Sequence, residues 1–166
     1  QERAEAFGII FSVEDVNEDL KAEINELRRL IGKAAAAYVK DGETIILDTG
    51  TATTNMTQFL QGHHNLTVVT NSVTIFHRLQ QNPNINLRLT GGDFHRNSQS
   101  LVGPAAIRYL ADIRVDKAFI VAGGLSQSFG ISCANLAEAE IRRAMIEAAR
   151  EVVLLVDHTV FNVEAT

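Results

Sequence analysis

Cysteine is almost missing from this 166-residue chain: Cys133 is the single one. That excludes a disulfide framework and a cysteine metal cluster, and it points to a reducing, cytoplasmic setting. Basic charge is also short. Lys and Arg total 15 against 20 Asp and Glu, for a net charge of −5, and no run of like charges is long. Holding a nucleic-acid groove requires clustered Lys and Arg against phosphates, so DNA is not expected to be held by this chain itself. No apolar run approaches the roughly 18–20 residues that cross a bilayer, and no signal peptide is recognisable, so no membrane partner is expected. Metal-ligand spacing is lacking as well. His63 and His64 stand together in the turn "QGHHN" without a third ligand. His77 and His95 have no carboxylate directly beside them in sequence, His158 stands after the last strand next to Asp157, and Cys133 reads as a small buried filler rather than a reactive thiol.

What is present is an ordinary globular composition, 46% hydrophobic, at a length that suits one core. Residues 1–17 read as an arm or linker with an apolar patch from Phe7 to Phe11, and residues 18–166 as the domain. The chain opens at Gln1 rather than Met, which fits a piece of a longer protein. From Glu18 to Val39 apolar residues recur at three- and four-residue steps, the pattern of an amphipathic helix, which "KDGE" at Lys40–Glu43 ends. Short runs rich in Val and Ile follow: Thr44–Asp48, Leu66–Thr70, Ile85–Thr90, Lys117–Ala122 and Val152–Asp157. They alternate little with polar residues, as strands covered on both faces do. Helical segments are expected between them, at Thr53–Leu60, Val73–Gln81, Val102–Ala111 and Ala137–Arg150. Alternation of strand and helix implies a doubly wound parallel α/β sheet.

In such a sheet ligands bind outside the carboxyl ends of the strands. The segments there are "DTGTATT", "TNS", "TGGDFHRNSQS", "GGLSQSFGIS" and "DHTVFN", all rich in groups that offer hydroxyls or accessible N–H. In the first, Gly50 lets the backbone turn while Thr51, Thr53 and Thr54 crowd the start of a helix. Either these threonines cap the helix or the turn seats an anion. The spacing matches neither nucleotide-binding glycine motif, so a phosphate on a small molecule fits better than a dinucleotide. The paired glycines Gly91–Gly92 and Gly123–Gly124 suit either a ligand lying close over backbone or plain turn chemistry. Lys117, read as opening its strand, is on spacing alone an ordinary solvated edge. Asp48 and Asp157 close strands and suit acid–base work, hydroxyl binding or capping alike.

The succession "LDTGTATT … VVTNS … LTGGDFHRNSQSLVGPAA … DKAFIVAGGLSQSFGISCANLAEAEIRRAMIEAAREVVLLVD" closely resembles the C-terminal effector domain of DeoR-type bacterial transcription regulators. The resemblance implies the ribose-5-phosphate isomerase and glucosamine-6-phosphate deaminase fold, a phosphorylated-sugar effector, no cofactor, no catalysis and no metal. It implies a winged helix-turn-helix module, N-terminal to and absent from this chain, that binds the DNA operator, in a homodimer or homotetramer. Carried over by position, Gly50, Thr51, Ala52, Thr53 and Thr54 seat the phosphate, and Asn71, Ser72, Gly91, Gly92, Lys117 and Gly124 line the pocket. Asp48 and Gly123 complete the candidate ligand-binding set. The chain departs from the family pattern at Gly124, where an acid is usual, and at Val160, where a lysine is usual.

Two further functions are open to such a chain. One is an aldose–ketose phosphate isomerase or deaminase, which needs a positioned carboxylate; the loop "AGGLSQS" carries none. The other is an assembly module built on the Glu18–Tyr38 helix and the Phe7–Phe11 patch. Under the sensor reading, Phe94–Ser100 and Ser126–Ser132 are the candidate moving loops.

Overall fold

The computed structural model describes residues 8–9, 18–122, 124–126, 130–132 and 135–156. A two-residue strand β1 (Gly8–Ile9) precedes the long helix α1 (Glu18–Ala36), which ends three residues short of the expected Val39. Then come β2 (Thr44–Leu47), α2 (Thr51–Met56) with a 3₁₀ turn at Thr57–Phe59, β3 (Leu66–Thr70), α3 (Val73–Leu79) and β4 (Ile85–Leu89). The second half contains β5 (Asp93–His95), β6 (Ser100–Val102), α4 (Pro104–Ala111), β7 (Val115–Val121), β8 (Gly124–Ser126), β9 (Gly130–Ser132), α5 (Leu136–Ala148) and β10 (Ala149–Leu155).

The main sheet runs in the order β1-β10-β7-β2-β3-β4 with all pairs parallel. Successive side chains of a strand point to opposite faces, and both faces are apolar here. Ile45 and Leu47 of β2, Val68 of β3 and Phe119 of β7 face one layer with Ile31 and Ala35 of α1, Met56 of α2 and Leu79 of α3. Ile46, Val69, Ala118 and Ile120 face the other, with Ala106 and Leu110 of α4 and Ile141 and Met145 of α5. The expected doubly wound parallel sheet is therefore the fold observed.

The chain lays β2, β3 and β4 outward in one direction and then returns to the other side of β2 with β7 and β10. The order reverses between β2 and β7. Loops leaving these strands diverge there, one to each face, and open a crevice at the carboxyl ends.

Two segments read as loops form hairpins. Phe94–Ser100 is the body of the antiparallel β5–β6 pair, and of Ser126–Ser132 the described residues belong to the antiparallel pair of β8 with β9. The expected helix Ala137–Arg150 stops at Ala148, and the chain passes directly into β10, whose Ala149 registers with Val115 of β7. Pairing with β7 outweighs the helix propensity of "AAR".

Candidate functional site

The turn between β2 and α2 sits at the crevice. Gly50 precedes α2, and no side chain caps the first turn of that helix. The leading N–H groups of a helix lack intrahelical acceptors, and they carry the positive end of its dipole. The threonine hydroxyls are arranged differently from the sequence expectation. Thr53 and Thr54 both donate to the Gly50 carbonyl, at 3.1 and 2.6 Å, and Thr57 donates to Thr54 O at 2.7 Å. Thr53 is completely buried. These hydroxyls brace the turn from behind, and Thr51 is the exposed one.

Gly50 is where it is because β7 passes close behind the turn: a Cβ added there would stand 2.7 Å from Val121 Cγ2. Gly32 plays the same part on the other side. A Cβ on it would meet Ala52 O at 2.9 Å, so α1 crosses tightly over α2 and fixes the height of the turn.

A cavity of about 330 Å³ opens against this turn. Thr49, Gly50, Thr51 and Ala52 form one wall; Val121 and Ala122 at the end of β7, and Leu155 and Val156 at the end of β10, form the floor. α1 contributes Arg28 and Ile31, α5 contributes Glu138 and Arg142, and Ser98 enters from the β5–β6 turn. The site thus draws on helices from both layers and on three central strands.

Asp48 lies beneath this wall and is 1% exposed. Its Oδ1 accepts the Thr49 N–H at 2.8 Å, and its Oδ2 accepts the Val121 N–H at 3.0 Å and Arg142 Nε–H at 2.7 Å. Burial pushes this carboxyl up from its ordinary range, while Arg142 and the two backbone N–H groups pull the other way. The residue ties the ends of β2 and β7 to α5 and holds Arg142 at the cavity. Its donors leave little capacity for a proton shuttle.

Asn71 and Ser72 do not line the cavity; they hold the β5–β6 hairpin beside it. Asn71 O accepts Leu101 N–H at 2.8 Å, Asn71 Nδ2 donates to Leu101 O at 3.0 Å, and Ser72 bridges Ser100. Ser72 Oγ also caps α3 by accepting Ile75 N–H at 3.2 Å. The tip of the hairpin is tied to the pocket by Thr49 Oγ1, which donates to Ser98 O at 3.1 Å.

Several carried-over residues are placed elsewhere. Lys117 is corrected outright: it is the third residue of β7, buried, at the amino end of the sheet. Its Nζ donates to Glu43 Oε1 and Oε2 at 3.0 and 2.8 Å and to Tyr38 O at 2.8 Å. It fastens the end of α1 to β7 and faces away from the crevice. Gly92 has φ +122, and an added Cβ would approach Val102 O to 2.5 Å, so it serves the packing of the strand end against β6 and α4. Gly91 has φ +74 and is exposed; neither glycine lines the cavity. Gly124 begins β8, opposite Ser132. Gly123, Cys133, Asp157, His158 and Val160 lie outside the described residues. The histidine pair also splits: His63 is half-buried, with Nε2 3.0 Å from Val39 O, while His64 is exposed.

Sequence reasoning missed the cations. Arg28 lies within the periodic α1 pattern, and Arg142 within "EAEIRRAMIEAA" reads as a surface charge favouring the macrodipole. The signal available was that Glu138 and Arg142 share one helix face at a four-residue step. The partner of Arg142, Asp48, is 94 residues away. Among the described residues no group of three or more His, Cys, Asp or Glu could hold a metal, and no helix is long and apolar enough to cross a membrane.

Comparison with known proteins bears on this geometry. A family model described as the DeoR C terminal sensor domain matches residues 24–166. The HTH-type transcriptional repressor CsqR of Escherichia coli K12 is 29% identical over 140 residues, covering 84% of this chain and 54% of that protein. The glycerol-3-phosphate regulon repressor of the same organism is 27% identical over 144 residues, covering 87% and 57%. This chain therefore spans about half the length of the relatives it matches. Among solved structures, ribose 5 phosphate isomerase A from Neisseria gonorrhoeae superposes with a TM-score of 0.60 at 14% identity, covering 84% of this chain and 54% of that one. That likeness is one of fold.

Proposed function

The chain belongs to the DeoR C-terminal sensor-domain family, and from that premise we propose that its cavity binds a phosphorylated sugar with the phosphate on the first turn of α2. The observation carrying this reading is the uncapped start of α2 at the point where the strand order reverses, facing a cavity that Arg28 and Arg142 line. Backbone N–H groups and the dipole favour an anion there. Guanidinium groups suit the oxygens of a phosphate in particular. A volume of about 330 Å³ is near the small end of ligand sites, which fits a monosaccharide phosphate.

The proposed seat is Gly50, Thr51, Ala52 and the backbone of Thr53, supported from below by Asp48; Thr54 gives its N–H to Gly50 O at 3.0 Å and so braces the turn without offering a donor to the phosphate. Asn71 and Ser72 act through the hairpin they hold. In this reading the ligand shifts a conformational population, and the β5–β6 hairpin is the moving part, since its tip both lines the cavity and is fastened to Thr49. Such a shift needs a difference in affinity between two states, typically ~1–3 kcal/mol. DNA binding would belong to a winged helix-turn-helix module outside this chain. Leu136, Tyr38 and Phe94 are large exposed apolar side chains available to a homodimer or homotetramer.

The relatives are named as regulators and repressors and not as enzymes, and Asp48, the buried acid at the strand ends among the described residues, is held by three donors. A thermal-shift screen of phosphorylated sugars against their free counterparts tests the reading. Stabilisation by phosphorylated members alone supports it. The reading fails if free sugars stabilise equally, or if no phosphorylated sugar does.

A further inference from the structure

The cavity has two chemically different ends. The turn before α2 offers N–H donors, whereas Glu138 of α5 offers a carboxylate, which when ionised only accepts hydrogen bonds. We propose that Glu138 is the specificity-determining residue of the pocket, accepting hydrogen bonds from hydroxyl groups of the sugar portion and so selecting polyhydroxylated monophosphates over other phosphates. This rests on the phosphate-seat reading above and adds the group that discriminates among phosphates.

The hydrogen bonds around Glu138 leave its oxygens for a ligand. Its backbone is fixed, because Asn135 Oδ1 caps α5 by accepting Glu138 N–H at 3.1 Å. Two side chains flank the carboxylate: Arg142 Nη1 stands 3.9 Å from Oε2 and His95 Nδ1 3.8 Å from Oε1, both beyond hydrogen-bonding distance.

The histidine proton is directed elsewhere. Since Asn135 uses its oxygen on the helix cap, its amide nitrogen must face His95 Nε2, 3.5 Å away. Nε2 is then the acceptor, and the ring proton sits on Nδ1. That proton goes to Ser98 Oγ at 2.7 Å, and Ser98 Oγ is also hydrogen-bonded to Ser100 Oγ at 2.6 Å. Arg142 meanwhile gives its Nε–H to Asp48. Glu138 is thus an acid with its side chain 20% exposed, lining the cavity, held in place by its helix and not consumed by either flanking donor. A partly buried carboxylate with no donor within hydrogen-bonding distance gains from a ligand that brings donors, and vicinal hydroxyls supply donors of the right kind and number.

Isothermal titration of the chain against inorganic phosphate, glycerol 3-phosphate, ribose 5-phosphate, fructose 6-phosphate and glucitol 6-phosphate tests the assignment. In the unmodified chain at least one of the five- or six-carbon probes is expected to bind about tenfold or more tighter than inorganic phosphate, the size of a charge-assisted hydrogen-bond contribution. Glu138→Gln, nearly isosteric, should bring that probe to within about threefold of inorganic phosphate, whose own affinity should hold or improve. Glu138→Asp, which keeps the charge but withdraws it by one methylene, should lose most of the preference too. The midpoint of thermal unfolding without ligand separates this from a structural role, and should be unchanged in Glu138→Gln.

The assignment is overturned if Glu138→Gln keeps the tenfold preference. It is also overturned if the variant weakens all phosphates in parallel, or if no sugar phosphate outcompetes inorganic phosphate in the unmodified chain. In those cases the phosphate seat stands. Failure of every probe, inorganic phosphate included, to bind the unmodified chain removes the seat and this assignment together.

Discussion

Gly50→Ala is the sharpest probe of how the turn before α2 is built. The glycine is extended rather than left-handed, with φ 163, so an alanine meets no backbone strain there. The obstacle is β7. The new methyl would lie 2.7 Å from Val121 Cγ2, 3.3 Å from Cγ1 and 3.2 Å from Cβ. Carbon atoms prefer about 3.5–4.0 Å, so the closest pair overlaps by roughly 1 Å. Overpacking of this kind typically costs about 1–3 kcal/mol, which in a domain of this size lowers Tm by about 2–12 °C. Val121→Ala removes both offending Cγ atoms and leaves the Cβ, so rescue should be partial. A double-mutant cycle by urea denaturation should give a coupling of about 1 kcal/mol or more in the favourable direction. The reasoning is refuted if Gly50→Ala lies within about 0.5 kcal/mol of the unmodified chain. It is refuted equally if the alanine costs the same in both backgrounds, since the glycine would then answer to something other than β7.

Thr51→Asp places a carboxylate at the exposed start of α2. Thermal stability should change little, while binding of any phosphorylated sugar is lost; retained binding measured by calorimetry would move the phosphate elsewhere. Thr53→Asp is a different experiment, because Thr53 is buried and bonded to Gly50 O; it should destabilise the fold itself, seen as a lowered Tm. Lys117→Met removes one partner of a buried ion pair and leaves Glu43 uncompensated. It should cost about 3–5 kcal/mol in denaturant while sugar-phosphate affinity at the far end of the sheet stays the same. A loss of affinity without loss of stability would return Lys117 to the pocket. Asn135→Ala removes the cap of α5 and should cost about 0.5–2 kcal/mol, measured by the same denaturant titration.

The sheet was legible in the sequence because its strands are covered on both faces and read as continuous Val- and Ile-rich runs, and Leu66–Thr70 matches to the residue. The helices between them announced themselves by period and by caps, as Ser72 and Asn135 do. The hairpins were not legible. "DFHRNSQSLV" has no sustained alternation, and its pairing depends on Asn71 and Ser72, which lie some thirty residues away in contacts such as Asn71–Leu101. The crevice could be located from the strand ends and Gly50, whereas the paired glycines Gly91–Gly92 do not line it. Its chemistry could only be half read. Backbone N–H donors follow from the turn itself, whereas Arg28, Glu138 and Arg142 look like ordinary helix-surface charges until the fold brings α1 and α5 together over β2 and β7. Lys117 shows the converse error. A lysine near a strand start is placed by register, and pairing with Ile45 and Glu151 sets it at the amino end of the sheet, opposite the crevice.

A crystal structure of the chain with the tightest-binding sugar monophosphate tests the central claim most directly. The phosphate oxygens should lie about 3 Å from the backbone nitrogens of Thr51 and Ala52, with a guanidinium of Arg28 or Arg142 against them. Density for the sugar phosphate with its phosphate group bound anywhere else, and this turn without it, would contradict the account.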